Sequence, residues 1–286
     1  MKSLSRLALV ALVLIGGTPL LAQKGKPLFP QTPGMQTYTF RESMKKSVEA
    51  TLDTIRALGI TDIECGIFPG KTLEESRKLL DDRGMRCSSF GAGYDELIEK
   101  PREVGRKAKA MGADYVMLAW ILKKPPFTLA DAKSAAENFN KFGKILKEEF
   151  GITFCYHNHG YEFYTHENGT LFDYIVQNTD PKYVSFEMDI LWTVFPGQDP
   201  VALLTKYGNR FKLMHLKDLR KGVPGNLSGG TSTENDVVLG TGQADMLGIL
   251  KAAKKAGVKH YYIEDESPSY ATQVPKSMAY LKSLKE

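Results

Sequence analysis

Charge of one sign, cysteine and long apolar runs are all in short supply in this sequence. The net charge is +5, and it falls to +3 if a leader carrying Lys2 and Arg6 is removed. So small an excess leaves no electrostatic footprint for nucleic acid or for an anionic membrane surface. The three cysteines, Cys65, Cys87 and Cys155, are odd in number and lie in strand-like stretches. They read as buried free thiols, although an exported protein has the option of pairing Cys65 with Cys87. No linker or compositional break divides the main body of the chain, which argues for one domain.

The one extended apolar stretch is at the start, "LALVALVLIGGTPLLA", behind the basic residues Lys2 and Arg6. With Ala22 as a small residue for cleavage, residues 1–22 have the form of a signal peptide. The Gly-Gly-Thr-Pro interruption makes the run short and broken for a spanning helix, so stable membrane insertion is not expected. No cysteine follows directly, so lipid attachment is not indicated. The expected location is periplasmic or secreted. Removal leaves 264 of the 286 residues, a length common for an α/β barrel.

After a Pro-rich lead-in over residues 23–34, short strand-like runs alternate with amphipathic stretches. The strand candidates are "MQTYTF", "ITDIECG", "MRCSSFG", "ADYVMLAW", "ITFCYHNH", "YVSFEMDI", "FKLMHLKD" and "HYYIED". Between them lie helical patterns such as "SMKKSVEATLDTIRALG", "TLEESRKLLDDRG" and "TLADAKSAAENFNKFGKILKEEFG", several ending in a Gly stop. Eight such units in about 250 residues predict an α/β fold, a single-domain (β/α)8 TIM barrel over residues 35–286. An open doubly wound sheet is the alternative. Its usual Gly-rich turn after the first strand is missing here, where the chain reads "TFRESM".

Alternate strand residues point into a barrel, and the C-terminal strand ends carry its chemistry. Apolar phasing turns Val184, Phe186 and Met188 outward, hence Glu187 and Asp189 inward. The same logic turns His215 and Lys217 in on the next strand, and Glu264 on the last. On the fifth strand Phe154 and Tyr156 face out, while His157 and His159 face in and Glu162 follows at the turn. Converging inward carboxylates need a counter-charge, which one divalent cation (Mn, Mg, Co or Zn) supplies. Asp189, His215 and Glu264 are the expected ligands, completed by either Glu162 or His157.

The segments "YHNHGYEF", "MDILWTVFPGQDP", "HLKD" and "GTGQADMLGILKAAKKAGVKHYYIEDE" resemble the xylose-isomerase-like barrel superfamily, in particular its sugar phosphate isomerase/epimerase group. That group takes in inosose dehydratases, tagatose/psicose-type epimerases and relatives of endonuclease IV. The resemblance implies one divalent cation held by Glu162, Asp189, His215 and Glu264, with Glu162 and Glu264 as an acid/base pair. Departures are visible. Many relatives carry the first Glu inside strand five, at the place of His157. Trp192 stands where an Asp-Thr-x-His pattern would put a histidine, and the strand-seven Arg of the epimerases is not evident, with Lys217 close to where it would act. Five histidines are too few for the multi-metal DNA-repair branch.

The implied reaction is isomerisation or epimerisation of a sugar or keto-sugar through a metal-stabilised enediolate. A lyase or hydratase acting on 3-keto-glycosides by the same enolisation is the close alternative, favoured by Trp192. A non-catalytic carbohydrate-binding barrel is the reading from a different class. Lys217 is expected as base or clamp, or in a salt bridge to Glu187 or Asp218. His157 and His159 would bind sugar hydroxyls or support the ligands, and Glu64, facing in with Asp62, would bind a hydroxyl or form an ion pair. Trp192 and Trp120 would stack on a sugar or pack against loops. The long "RKGVPGNLSGGTSTEND" stretch suggests a lid, and "GTGQAD" a helix entry or a phosphate-binding turn. The partner is a small-molecule sugar, and self-association as a homo-oligomer is compatible with the sequence.

Overall fold

A computed structural model describes residues 25–29, 32–121 and 124–286. The stretch read as a signal peptide lies outside them. Among the described residues, no helix is long and apolar enough to cross a membrane. The eight strands of the barrel are β1 (Gly34–Gln36), β2 (Asp62–Cys65), β3 (Arg86–Gly91), β4 (Tyr115–Leu118), β5 (Thr153–His157), β6 (Val184–Asp189), β7 (Phe211–Leu216) and β8 (His260–Ile263). Each pairs in parallel with its sequence neighbours, and β1 closes on β8.

The outer layer is made by α1 (Val48–Ala57), α2 (Leu73–Asp81), α3 (Pro101–Met111), α4 (Leu129–Phe150), α5 (Leu171–Gln177), α6 (Pro200–Tyr207), α7 (Met246–Ala256) and α8 (Tyr270–Ser283). Side-chain caps fix where the helices begin. Thr72, Thr128 and Thr170 each accept from the third helical residue, whose own carboxylate reaches back to the cap amide. Left-handed glycines at 112, 151 and 257 end α3, α4 and α7 just before the next strand.

The outward phase is as the apolar pattern requires. Phe139 and Phe142 of α4 pack on Phe154, and Phe172 of α5 packs on Phe186 and Phe211. The three cysteines are buried and unpaired with one another. Two expected elements are cut short. β1 ends at Gln36 because its side chain accepts from the Tyr38 amide while Thr37 donates to the Glu64 carbonyl, turning the chain into the helical turn Thr37–Phe40. The helix expected over 43–59 is broken at Ser47, which caps α1 by accepting from the Ala50 amide.

Candidate active site

Register places the polar residues side by side at the C-terminal end of the barrel. Gln36 pairs with Glu64, His157 with Glu187 and Asp189 with His215. All six are buried. The Gln36 amide and His215 Nε2 both donate to Glu64 Oε1, at 2.7 and 2.6 Å. His157 Nδ1 lies 3.3 Å from Glu187 Oε2. Each imidazole is thus held through one nitrogen by a carboxylate deeper in the barrel. Its other nitrogen is presented upward.

There the donor atoms converge. His157 Nε2 is 3.6 Å and His215 Nδ1 3.7 Å from Asp189 Oδ2, and His215 Nδ1 is 3.1 Å from Glu264 Oε2. His157 Nε2 and Asp189 Oδ2 are buried without any hydrogen-bond partner. Ligands about 2.0–2.2 Å from a cation stand roughly 3–3.6 Å apart, so this spacing and these orphaned atoms fit a divalent ion. The carboxylate–imidazole pairs below have the arrangement that orients metal-binding histidines. Glu64, Glu187 and His215 also lie close enough to share an ion, and Glu64 Oε2 and Glu187 Oε1 are likewise unpartnered, but His215 Nε2 is engaged by Glu64.

Electrostatics favour positive charge at the same place. Burial opposes protonation of His215, yet Glu187, Glu264 and Glu64 outweigh it and hold its pKa well above the ordinary value. Glu264 shows the converse. Burial raises it, but Lys217 and His215 pull it well below the carboxylate range. Burial and the charge of Glu64 push Glu187 well up. A cluster that draws a proton onto a buried histidine is one that a cation would neutralise.

Glu162, the ligand carried over by resemblance, is not in this cluster. Gly160, at φ +97°, reverses the chain after β5, and the carboxyl folds back onto its own turn. It accepts from the amides of His159 at 3.0 and 3.2 Å and of Gly160 at 2.7 Å, and from the Tyr156 hydroxyl. Both oxygens are engaged on the helix side of the strand, so its expected role as ligand and acid/base partner has no geometric support. His157, by contrast, brings an unpartnered Nε2 to within 3.6 Å of Asp189 Oδ2.

Lys217 is also placed differently from expectation. Its ammonium donates to Glu264 at 3.2 Å and to Glu266, lies 3.7 Å from Asp236, and sits 5.6 Å from the Trp192 ring centre. Neither Glu187 nor Asp218 is its partner. Burial favours the neutral amine, but Glu264, Asp236, Asp189 and Glu266 keep its pKa well above normal. Buried and ion-paired, it positions the two glutamates.

Above this floor opens a cavity of about 490 Å³. His157, His215 and Glu264 reach it from below, Trp120, His159 and Trp192 line its side, and Gly229–Thr231 of the loop after β7 close over it. Among the described residues, no lysine or arginine lines it. His159 packs nearly parallel to Trp192, ring centres 5.5 Å apart, with Trp120 edge-on at 5.1 Å. Its Nδ1 is buried without a partner, and burial brings its pKa down to about 4, so the ring is neutral at pH 7. Glu64 supports His215 rather than lining the cavity. Asp62 lies at the opposite end of the strand, bonded to Ser88 and His260.

Some contributors were not singled out by sequence. Gln36 fixes Glu64, and Asn158 accepts from the Asp189 amide while donating to Thr193, tying β5 to β6. Glu266 and Asp236 surround Lys217. Glu187 is already turned inward by strand phase, whereas the only signal for Glu266 is its two-residue spacing from Glu264. The "GTGQAD" turn is occupied from within. Its amides at Gly240, Gly242 and Ala244 donate to the Asp218 carboxylate at 2.9, 3.0 and 3.2 Å, which leaves no place for a phosphate. Close packing holds the lid, since a Cβ at Gly225 would stand 1.7 Å from the Phe195 carbonyl.

Comparison with known proteins agrees with this architecture. An inosose dehydratase of Clostridium perfringens is 29% identical over 201 residues, covering 62% of this chain and 65% of that protein. Matches to the curated inosose dehydratases span between about a third and two thirds of their length. A sugar phosphate isomerase/epimerase from Parabacteroides distasonis superposes with TM-score 0.72 at 28% identity, over 89% of this chain and 96% of that one. The IOLI protein, whose crystal structure holds a zinc atom, superposes with TM-score 0.69 at 15% identity, over 88% and 95% of the two chains, a likeness of fold. The model of the xylose isomerase-like TIM barrel matches residues 52–284, and the chain belongs to that family.

Proposed function

We propose that this protein is a metal-dependent dehydratase of a cyclic keto-polyol or keto-sugar, working by abstraction of a proton beside the carbonyl and loss of water. The observation that carries the reading is the pair of orphaned buried atoms, His157 Nε2 and Asp189 Oδ2, facing His215 and Glu264 under a sugar-sized cavity. His157, Asp189, His215 and Glu264 would hold the ion. When bound, a divalent cation there polarises the substrate carbonyl and stabilises negative charge on its oxygen.

The remaining work falls to the chain's own groups. His159, neutral and on the cavity wall, would take a proton from carbon. The proton that His159 removes would return to the leaving hydroxyl, which departs as water, and Glu266, about a fifth exposed and held by Lys217, would accept a hydrogen bond from a substrate hydroxyl. Trp120 and Trp192 offer flat faces to a ring, and the lid of Gly229–Thr231 limits water. Among the described residues the lining carries Glu264 and Glu266 and no lysine or arginine, which disfavours a phosphorylated substrate.

The similarity to inosose dehydratases supports elimination over isomerisation, and that to a sugar phosphate isomerase/epimerase keeps epimerisation as the second reading. The test is turnover of inosose and keto-sugars before and after chelation, with products followed by mass spectrometry in deuterated water. Dehydration yields a product lighter by one water. An intact sugar carrying solvent deuterium would instead establish epimerisation. Sugar binding with no turnover in the presence of any divalent ion would leave only the binding-protein reading.

A further inference from the structure

The cavity above the metal-competent cluster has two unlike sides. Pairing around the closed barrel places β2, β3 and β4 opposite β6, β7 and β8. Asp189, His215 and Glu264 belong to the second set. From the ends of the first set the cavity takes Cys65, Gly66, Gly91, Met117 and Ala119. Strand phase points both glycines inward. Glu64, two residues before Gly66, turns in to His215. Gly91 pairs with Met117, which pairs in turn with Cys155 of the interior layer that holds Leu213 and Tyr262. A side chain at either glycine would therefore enter the cavity.

A glycine in or beside a strand ordinarily answers a need of the backbone or of packing. Around this barrel most do. Gly160 and Gly229 have φ of +97° and +71°, and a Cβ at Gly34 would stand 2.6 Å from the Tyr262 ring. Gly66 and Gly91 answer neither need. Neither has a positive φ. Among the described residues, the atom nearest to a Cβ on Gly66 is the Gly91 carbonyl oxygen at 3.8 Å, and nearest to one on Gly91 is the Met117 methyl at 3.9 Å, both ordinary contacts. Gly230 is alike in this, but it sits on the lid loop rather than on the barrel wall. What the two wall glycines supply is room in the cavity.

We propose that Gly66 and Gly91 determine substrate specificity: the space they leave takes a small substituent, a methyl group or methyl ether, carried by the substrate ring on the side away from Asp189, His215 and Glu264. The inference rests on the cavity being the site of a keto-polyol or keto-sugar. The Met117 thioether and the Ala119 methyl are described side chains beside that space, and they suit C–H groups better than hydroxyls, which would be left without partners there. The two glycines also lower stability. A glycine in an ordinary backbone conformation gives the unfolded chain a freedom that alanine removes, with no compensating need in the folded state. Two such positions, neighbours on one wall of the cavity, are accounted for by what the wall must admit.

Two measurements on the full chain, reconstituted with manganese(II), test the assignment. Gly66→Ala and Gly91→Ala should each melt about 1–3 °C above the wild type, as glycines that the fold does not need. A lower melting temperature in either would make that glycine structural and overturn the proposal. Binding is then followed calorimetrically with glucose, methyl glucoside and 3-O-methylglucose, with D-chiro-inositol and its methyl ether pinitol, and with glucuronate. At least one methyl ether should bind no more weakly than its unmethylated parent. Gly91→Leu, which fills the space, should weaken that ether by about ten-fold or more relative to the parent. Gly66→Leu serves as a second block should the first variant melt early. Ethers that all bind more weakly than their parents, a loss shared equally by ether and parent, or a preference for glucuronate alone each overturn the proposal. So does the absence of any binding by the wild type, which removes the sugar reading with it. Selective loss of the ether in a chain that turns over no keto-polyol refutes the dehydratase reading and leaves the glycine assignment standing.

Discussion

Replacing Glu162 with Gln separates two roles open to a glutamate at this barrel mouth. In the structure its carboxyl ties the turn after β5, accepting from the His159 and Gly160 amides and from the Tyr156 hydroxyl. Burial is the largest influence on its ionisation and lifts its pKa to about 7, against those hydrogen bonds, which pull it down. An ordinary glutamate titrates near 4.5, so between these values the folded chain binds a proton that the unfolded chain has released. The stabilisation linked to that proton is complete below about pH 4.5 and is lost as pH rises through 7. At about 1.4 kcal/mol for each pH unit, the loss reaches about 3 kcal/mol. Gln stays neutral across the range and keeps one oxygen for the amides. E162Q should therefore lose this slope, gaining roughly 6–10 °C in melting temperature relative to the wild type between pH 4.5 and 8. Thermal melts over that range measure it, and metal analysis of the same samples should find the ion retained. Parallel pH profiles for the two proteins would refute the buried titrating carboxyl. Loss of the ion from E162Q would return Glu162 to the ligand set.

Three further outcomes follow from the same geometry. His157→Ala removes a donor atom facing Asp189, so the protein should emerge from dialysis without a stoichiometric divalent ion; wild-type retention would exclude His157 as a ligand. Glu64→Gln leaves the ligands in place but weakens the grip on His215, and metal titration should show affinity reduced roughly 10–100-fold, with an unchanged value contradicting its orienting role. Asp218→Ala strips the acceptor from three amides of the turn before α7, which should cost about 3 kcal/mol or more in urea unfolding, whereas a change under about 1 kcal/mol would show that water replaces the carboxylate.

What could be read in advance was whatever strand periodicity controls. Once Phe186 and Met188 are assigned to the helices, Glu187 and Asp189 have no direction left but inward, and the same holds for His157, His215 and Glu264. Parallel pairing then aligns those residues at one rim, so the floor of the site is a consequence of alternation and register. Glu162 lies beyond that control. It follows a positive-φ glycine, where the direction of a side chain depends on local hydrogen bonds rather than on phase, and two unpaired amides captured it. Lys217 had the right phase and the wrong surroundings. The glutamate and aspartate that bury its charge come from a strand end and a loop distant in sequence, and no periodic signal joins them. The cavity above the floor is harder still to foresee, since it depends on Trp120 just past β4, the turn after β5 and a loop more than 100 residues later meeting in space. Those loops, set on a rim fixed by strand phase, shape the cavity above it. The floor of the site is legible from the strands, and the shape of the cavity is written in the contacts among loops.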